Sequence, residues 1–413
     1  MGIRRIVIAF LTVLICLTTF HFVMSVQAAT MSENKTSMQT PPYMNQPSTN
    51  DNIVVYINWD GFADYYVDLA EKQGKIPTLS RIKNEDGVYF SNAYTGIPSI
   101  TNPMQAAIAS GTTSRFTDNH FRYFNRKLNM VIQEQPPTKN EAETLAEAAV
   151  RQNLDVISIN QFAFQNRGTV VGDPLKTYLL APVGTNGYSD ASARFDEAIR
   201  LIKTLKIGNV SFERFPRFIA LYMDDLDGIG HNEAKTYGVS PVTTEEARKQ
   251  AVIDRLALMD HKLGELIQTC KDVGIYNNIS FVLTTDHGMA PFGSQQLEII
   301  EDSTQTKLSD LIATIESLGP GYRCQILQPG KIQMPSPETD IAIVTVGLQV
   351  QLSFIDEFDP NVIDMKNQKI AETLKNKNYI DKIMFPDEMM NHGIKAGFAD
   401  LIISPTLSFS FAK

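Results

Sequence analysis

The sequence predicts an α/β fold, a mainly parallel central sheet with helices on both faces and a small inserted cap. Three observations predict it. Short apolar runs at 53–57, 156–159, 218–222 and 279–283 read as strands buried on both sides. Helical patterns at 140–151, 190–205 and 244–272 alternate with them, and in the last of these Ile253, Leu256, Leu263, Leu266 and Ile267 share one face. Three of the four runs end directly in Asp or Asp/His turns, and parallel sheets carry their sites at the carboxyl ends of their strands.

The chain begins with a different kind of segment. Arg4 and Arg5 precede an almost unbroken apolar run over 6–23, and Val26-Gln27-Ala28-Ala29 approximates a small-x-small cleavage site. Residues 1–29 therefore read as an export signal; an uncleaved membrane anchor is the alternative, because the run is nearly long enough to span. Bulky Ile15 argues against a lipoprotein role for Cys16. Residues 30–51, rich in Ser, Thr, Asn, Gln and Pro, read as a solvated linker, leaving 52–413 as the globular domain of a secreted or extracytoplasmic protein.

Composition sets further bounds. Hydrophobic residues make up 43% of the 413, which suits a packed core. The formal charge is −9, two units more negative once the leader arginines are lost, and no basic stripe marks a nucleic-acid surface. Beyond the leader only Cys270 and Cys324 remain, too few for a cysteine zinc site; a disulfide and two buried thiols both fit the sequence.

The first strand runs into Asn58-Trp59-Asp60-Gly61, the third into Asp224-Asp225-Leu226-Asp227-Gly228-Ile229-Gly230-His231, and the fourth into Thr284-Thr285-Asp286-His287-Gly288. A single Asp-Gly after a strand is usually a turn. Three such ends on one sheet edge form a donor set of carboxylate oxygen and imidazole, the natural ligands of zinc and similar ions. Asp227 and His231 are four apart, so one helical turn can aim both at one ion. Gly61, Gly228, Gly230 and Gly288 are expected to let the backbone turn sharply beside the metals.

A nucleophile fits in the stretch 95–111. A polar turn leads into a small-residue helix at 104–109, and Thr101 stands at its start, where unpaired N–H groups and the positive dipole end favour a phosphate. Taken alone, Thr101 could equally be a helix cap, and Ser99 is a rival nucleophile.

These motifs resemble the alkaline phosphatase superfamily, and within it the type I phosphodiesterase/nucleotide pyrophosphatase family with its phosphonoacetate hydrolase-like branch. Asp60-Gly61 resembles the first metal aspartate, Pro98-Ser99-Ile100-Thr101-Asn102-Pro103 the nucleophile loop, Asp227-Gly228-Ile229-Gly230-His231 the D-x-x-G-H segment and Asp286-His287-Gly288-Met289 the D-H-G-M segment. The loop lacks the C/S-x-P-x-R setting of sulfatases. The resemblance implies two zinc ions, one held by Asp60, Thr101, Asp286 and His287, the other by Asp227, His231 and a third histidine. It implies a phospho-threonine intermediate on Thr101, released by water at the Asp227/His231 centre. Asn119, or less favourably Asn125, would bind a phosphoryl oxygen, with Asn102 and the adjacent N–H groups beside it. The implied partner is a small phosphorylated substrate.

The third histidine is the irregular part. His392 stands in a His-Gly pair, but ahead of the strand expected at 399–404, whereas the family places that pair after it. Either His392 serves from an altered position, or the chain lacks a last segment and the second site is incomplete, with feeble activity expected. The same fold also admits phosphonate C–P cleavage, phosphomonoester hydrolysis, or a catalytically inactive secreted binding protein.

Overall fold

A computed structural model describes residues 52–133, 139–185, 187–232, 237–290, 305–407 and 409–411. The expected leader and linker lie outside the described residues. Among the described residues no helix is long and apolar enough to cross a membrane.

The central sheet has six strands: β1 (Ile53–Trp59), β2 (Val156–Ile159), β3 (Val170–Val171), β4 (Lys176–Leu179), β5 (Phe218–Met223) and β6 (Ile279–Thr284). Their order is β6-β1-β5-β2-β4-β3, and every pairing is parallel. The helices that position the site are α1 (Asp64–Lys72), α2 (Thr101–Ser110), α3 (Leu145–Arg151), α4 (Ala191–Thr204), α5 (Asp225–Gly230) and α6 (Glu245–Val273).

Strand alternation divides the core into two layers. Ile53, Val55, Ile57 and Trp59 of β1 and Ile219, Leu221 and Met223 of β5 face the larger layer, where Tyr66, Phe195, Leu256 and Leu263 from α1, α4 and α6 pack on them. Tyr56 and Ala220 face the other side, against Ala109 of α2 and Ala146 and Ala149 of α3. Small residues on this second face bring α2 close to the sheet, which carries Thr101 toward the strand ends.

A second sheet follows in sequence, built from β7 (Cys324–Ile326), β8 (Ile341–Val346), β9 (Gln349–Phe354), β10 (Ile380–Met384) and β11 (Leu401–Pro405). Its order is β7-β8-β9-β11-β10, and only β7 and β8 run parallel. Helices α7 (Leu308–Glu316) and α8 (Pro360–Leu374) cover it around a separate core that includes Leu311, Ile343, Leu352 and Leu374. A hairpin (122–125 with 130–133) joins the two parts, burying Phe124 and Val131 against Val344. A short helix, α9 (Pro386–Asn391), precedes β11. Cys270 is buried in the central core and Cys324 lies in β7; both are free thiols.

Candidate functional site

Strand order assembles the site. β1 lies between β6 and β5, with Asn58 in register with both Thr284 and Tyr222. The residues just beyond these strand ends, Asp60, Asp286-His287 and the Asp224–His231 segment, therefore meet at one edge.

Asp60 and Asp286 are 1% and 2% exposed, and His287 is 8% exposed. Among the described residues, this trio alone brings three Asp, Glu, His or Cys donor atoms within 4.8 Å of one another. His287 Nε2 is 3.2 Å from Asp60 Oδ1 and 3.9 Å from Asp286 Oδ2. Its Nδ1 lies 2.8 Å from the Gly288 carbonyl, which turns Nε2 inward. Thr101 Oγ1 is 3.1 Å from that Nε2. Thr101 is the first residue of α2, so the expected helix start is where the structure places it, three residues earlier than the apolar pattern.

Asp227 adjoins this trio, with Oδ1 3.9 Å from His287 Nε2 and 3.4 Å from His231 Nε2. Asp227 sits in α5 and His231 caps it, so the four-residue spacing does place both on one turn. Gly61 makes the approach possible: its φ is +68°, and a Cβ there would stand 2.9 Å from the Asp227 Cα. The other three glycines act differently from the expectation. None has a positive φ; Gly228 and Gly230 lie within α5, leaving room for the Tyr237 ring and Met289. The neighbouring acids are already neutralised, Asp224 by Arg194 at 2.7 Å and Asp225 by Arg255 at 2.5 Å.

Asn119 is fully buried; its Nδ2 donates to the Lys139 carbonyl at 2.9 Å and to the Asn102 carbonyl at 3.4 Å. It thus stands against the residue after Thr101. Asn125 lies in the hairpin, where Oδ1 accepts from Leu128 N–H. Ser99 lies two residues ahead of the helix start. His392 lies elsewhere: its half-exposed ring caps α9, with Nε2 3.9 Å from Glu388 Oε1, and it joins no three-donor group with Asp227 and His231.

Sequence reasoning missed the groups that orient these side chains. The Tyr222 hydroxyl donates to Asp60 Oδ2, Gln105 Nε2 donates to Asp286 Oδ2 at 2.9 Å, and Thr95 Oγ1 donates to the Asp286 carbonyl at 2.6 Å. One signal was available: Gln105 is one helical turn after Thr101 and so shares its face.

The residues fit a cation. Burial, then the Asp286 and Asp227 carboxylates, push the Asp60 carboxyl well above the usual range. Burial also raises Asp286, against the opposing pull of His287 and Gln105. Asp60 Oδ1 and Asp227 Oδ1 are buried yet accept no hydrogen bond. Clustered buried carboxylates with orphaned oxygens call for a positive partner, and a carboxylate/imidazole set suits zinc.

The chain resembles known proteins in both sequence and fold. The chain is 25% identical over 252 residues to the rat ectonucleotide pyrophosphatase/phosphodiesterase family member 1, covering 61% of this chain and 25% of that one. It is 30% identical over 99 residues to venom phosphodiesterase 2 of Crotalus adamanteus, covering 24% and 11%. The chain thus spans about a quarter or less of these relatives. In fold it is similar to phosphonoacetate hydrolase of Sinorhizobium meliloti in complex with phosphonoacetate, with a TM-score of 0.58, 15% identity and coverage of 88% and 83%. It is also similar to an inactive variant of murine ectonucleotide pyrophosphatase/phosphodiesterase 5 in complex with AMP, with a TM-score of 0.54, 15% identity and coverage of 87% and 80%. The family model for type I phosphodiesterase/nucleotide pyrophosphatase matches residues 54–382. With most of its length matched and its acidic strand ends gathered at one edge, this chain belongs to the type I phosphodiesterase/nucleotide pyrophosphatase family.

Proposed function

We propose that the chain is a zinc-dependent phosphoric ester hydrolase acting on a small phosphodiester or nucleotide pyrophosphate-type substrate, with Thr101 as nucleophile. The observation that carries this is the hydroxyl of Thr101 lying 3.1 Å from His287 Nε2, beside the buried Asp60/Asp286/His287 cluster. A threonine hydroxyl is a poor nucleophile by itself. Asp60, Asp286 and His287 would hold one zinc ion and Asp227 with His231 a second, supplying Lewis acidity that lowers the hydroxyl's pKa and offsets negative charge.

The chain's own groups supply the rest. The first turn of α2 presents N–H groups without intrahelical partners toward the phosphoryl oxygens. Asn119 braces that turn through the Asn102 carbonyl. Thr101 Oγ1 bonds to phosphorus as the ester oxygen leaves with the hydroxyl proton; water then breaks the Oγ1–P bond and restores the threonine. The murine neighbour, described as inactive with a threonine-to-alanine change, supports a threonine in this role.

A second reading, hydrolysis of a phosphonate C–P bond, is favoured by the phosphonoacetate-bound neighbour and by Asn102 directly after Thr101. Assays of the purified chain on bis-nitrophenyl phosphate, nitrophenyl phosphate and phosphonoacetate, with zinc content measured alongside, separate the readings. Fastest turnover of the diester supports the first reading and fastest turnover of phosphonoacetate the second. Undiminished activity after zinc is stripped would overturn both.

A further inference from the structure

We infer that Gln105 and Tyr222 are positioning residues that set the two buried carboxylates of the centre, and that Gln105 does so through an amide relay anchored in the backbone. The inference rests on the reading that Asp60, Asp286 and His287 hold a cation.

The relay is fixed at its far end. The Ala163 N–H donates to Gln161 Oε1 at 3.2 Å. Because a backbone N–H cannot accept, the oxygen of Gln161 must face it, and Nε2 must point away. That Nε2 donates to Gln105 Oε1 at 3.0 Å. Gln105 Nε2 is thereby turned to the opposite side, where it donates to Asn58 Oδ1 at 2.8 Å and Asp286 Oδ2 at 2.9 Å. Gln105, Gln161 and Asn58 are each no more than 1% exposed, so water cannot take over the missing bonds if one amide is removed. Each amide in the relay has a single orientation, and Asp286 receives a donor rather than an acceptor.

Asp60 is held from the other side. The Tyr222 hydroxyl occupies Oδ2, which leaves Oδ1 as the atom facing His287 Nε2 at 3.2 Å. On Asp286, the His287 and Gly61 N–H groups occupy Oδ1 at 2.9 and 3.3 Å, and Gln105 shares Oδ2. All these donors are uncharged. An arginine or lysine in their place would neutralise the carboxylates and compete with a cation. Neutral donors fix direction and leave the charge to be balanced by the ion.

The test measures zinc affinity of the full chain by competition with a chromophoric chelator, with zinc content after dialysis as a second reading. Gln105→Met keeps the length and removes the amide; Tyr222→Phe removes only the hydroxyl. Each should weaken zinc binding about 10- to 100-fold. Gln161→Met touches neither carboxylate but frees the Gln105 amide to rotate, and should weaken binding by roughly 3- to 10-fold. Circular dichroism and the metal-free Tm establish that each variant is folded. A packing role would lower that Tm and leave zinc affinity of the folded protein unchanged. Folded Gln105→Met and Tyr222→Phe proteins with wild-type zinc affinity overturn the inference. If Gln105→Met does not fold, wild-type affinity in Gln161→Met overturns the relay. A wild-type chain that takes up no zinc overturns the underlying metal reading instead.

Discussion

The two halves of the site are built differently. Asp60, Asp286 and His287 come from the ends of adjacent parallel strands, are almost fully buried, and are braced by Tyr222, Gln105 and Thr95. Asp227 and His231 come from one short helix, and their side chains are 19% and 35% exposed. Strand ends in register can bury charge because the sheet fixes their spacing. A pair on a single helical turn needs a third donor from elsewhere to close a site. His392, one of the two alternatives for that donor, caps α9 beside Glu388.

The largest effect should come from the nucleophile that faces the buried half. Thr101→Ala should reduce kcat by more than about 1,000-fold, whereas Ser99→Ala should stay within a few-fold in the same assay. Retention of more than a few per cent of activity by Thr101→Ala would falsify the assignment.

Metal content sharpens the contrast between the halves. Asp60→Asn should lose the ion of the buried half and also raise the metal-free Tm, because it removes the buried carboxylate that burial and the neighbouring Asp286 and Asp227 disfavour. Asp227→Asn should weaken the exposed half with a smaller change in metal-free Tm. Equal shifts in the two variants would break the comparison.

A buried imidazole outside both halves supplies a pH test. His120 is 3% exposed and stacks on Phe398 at 5.1 Å, with Asp118, Lys395 and Lys139 as its charged neighbours. Burial, partly opposed by Asp118, pushes its pKa down to about 4. The unfolded chain therefore protonates this residue at a higher pH than the folded one. Its contribution is complete above about pH 6.5 and is lost as pH falls toward 4, on the order of 3 kcal/mol at most. His120→Phe should flatten the fall in Tm across that window relative to wild type. Parallel acid profiles would show that His120 does not carry it.

The smallest effect is expected at His392. His392→Ala should leave zinc content unchanged and activity within about twofold, since surface changes away from a site cost little. Loss of one zinc in that variant would place His392 in the exposed half after all.

Much of this was legible in the sequence. Apolar runs marked four of the six central strands; β1, β2 and β5 are apolar because the sheet buries them on both faces, whereas β6, expected to be buried likewise, is an edge strand with Val282 46% exposed. The helices expected at 190–205 and 244–272 formed at Ala191–Thr204 and Glu245–Val273. The second sheet is less legible in the sequence: of its strands only β11 lies close to an expected one, at 399–404. Gly228 and Gly230 looked like turn-makers but serve packing inside α5, a distinction that depends on Tyr237 and Met289, which touch them from elsewhere.

By itself the sequence determined which residue types stand at the strand ends, Asp60, Asp227, Asp286 and His287, and that a helix begins near Thr101. Those features are local, set by strand and helix periodicity and by chain order. Only the tertiary structure decided that β6, β1 and β5 are neighbours, because strand order is not encoded in any one segment. It also decided which carboxylates are free for a cation. Asp224 and Asp225 are as acidic as Asp227 in the sequence, yet Arg194 and Arg255, brought in from α4 and α6, already neutralise them.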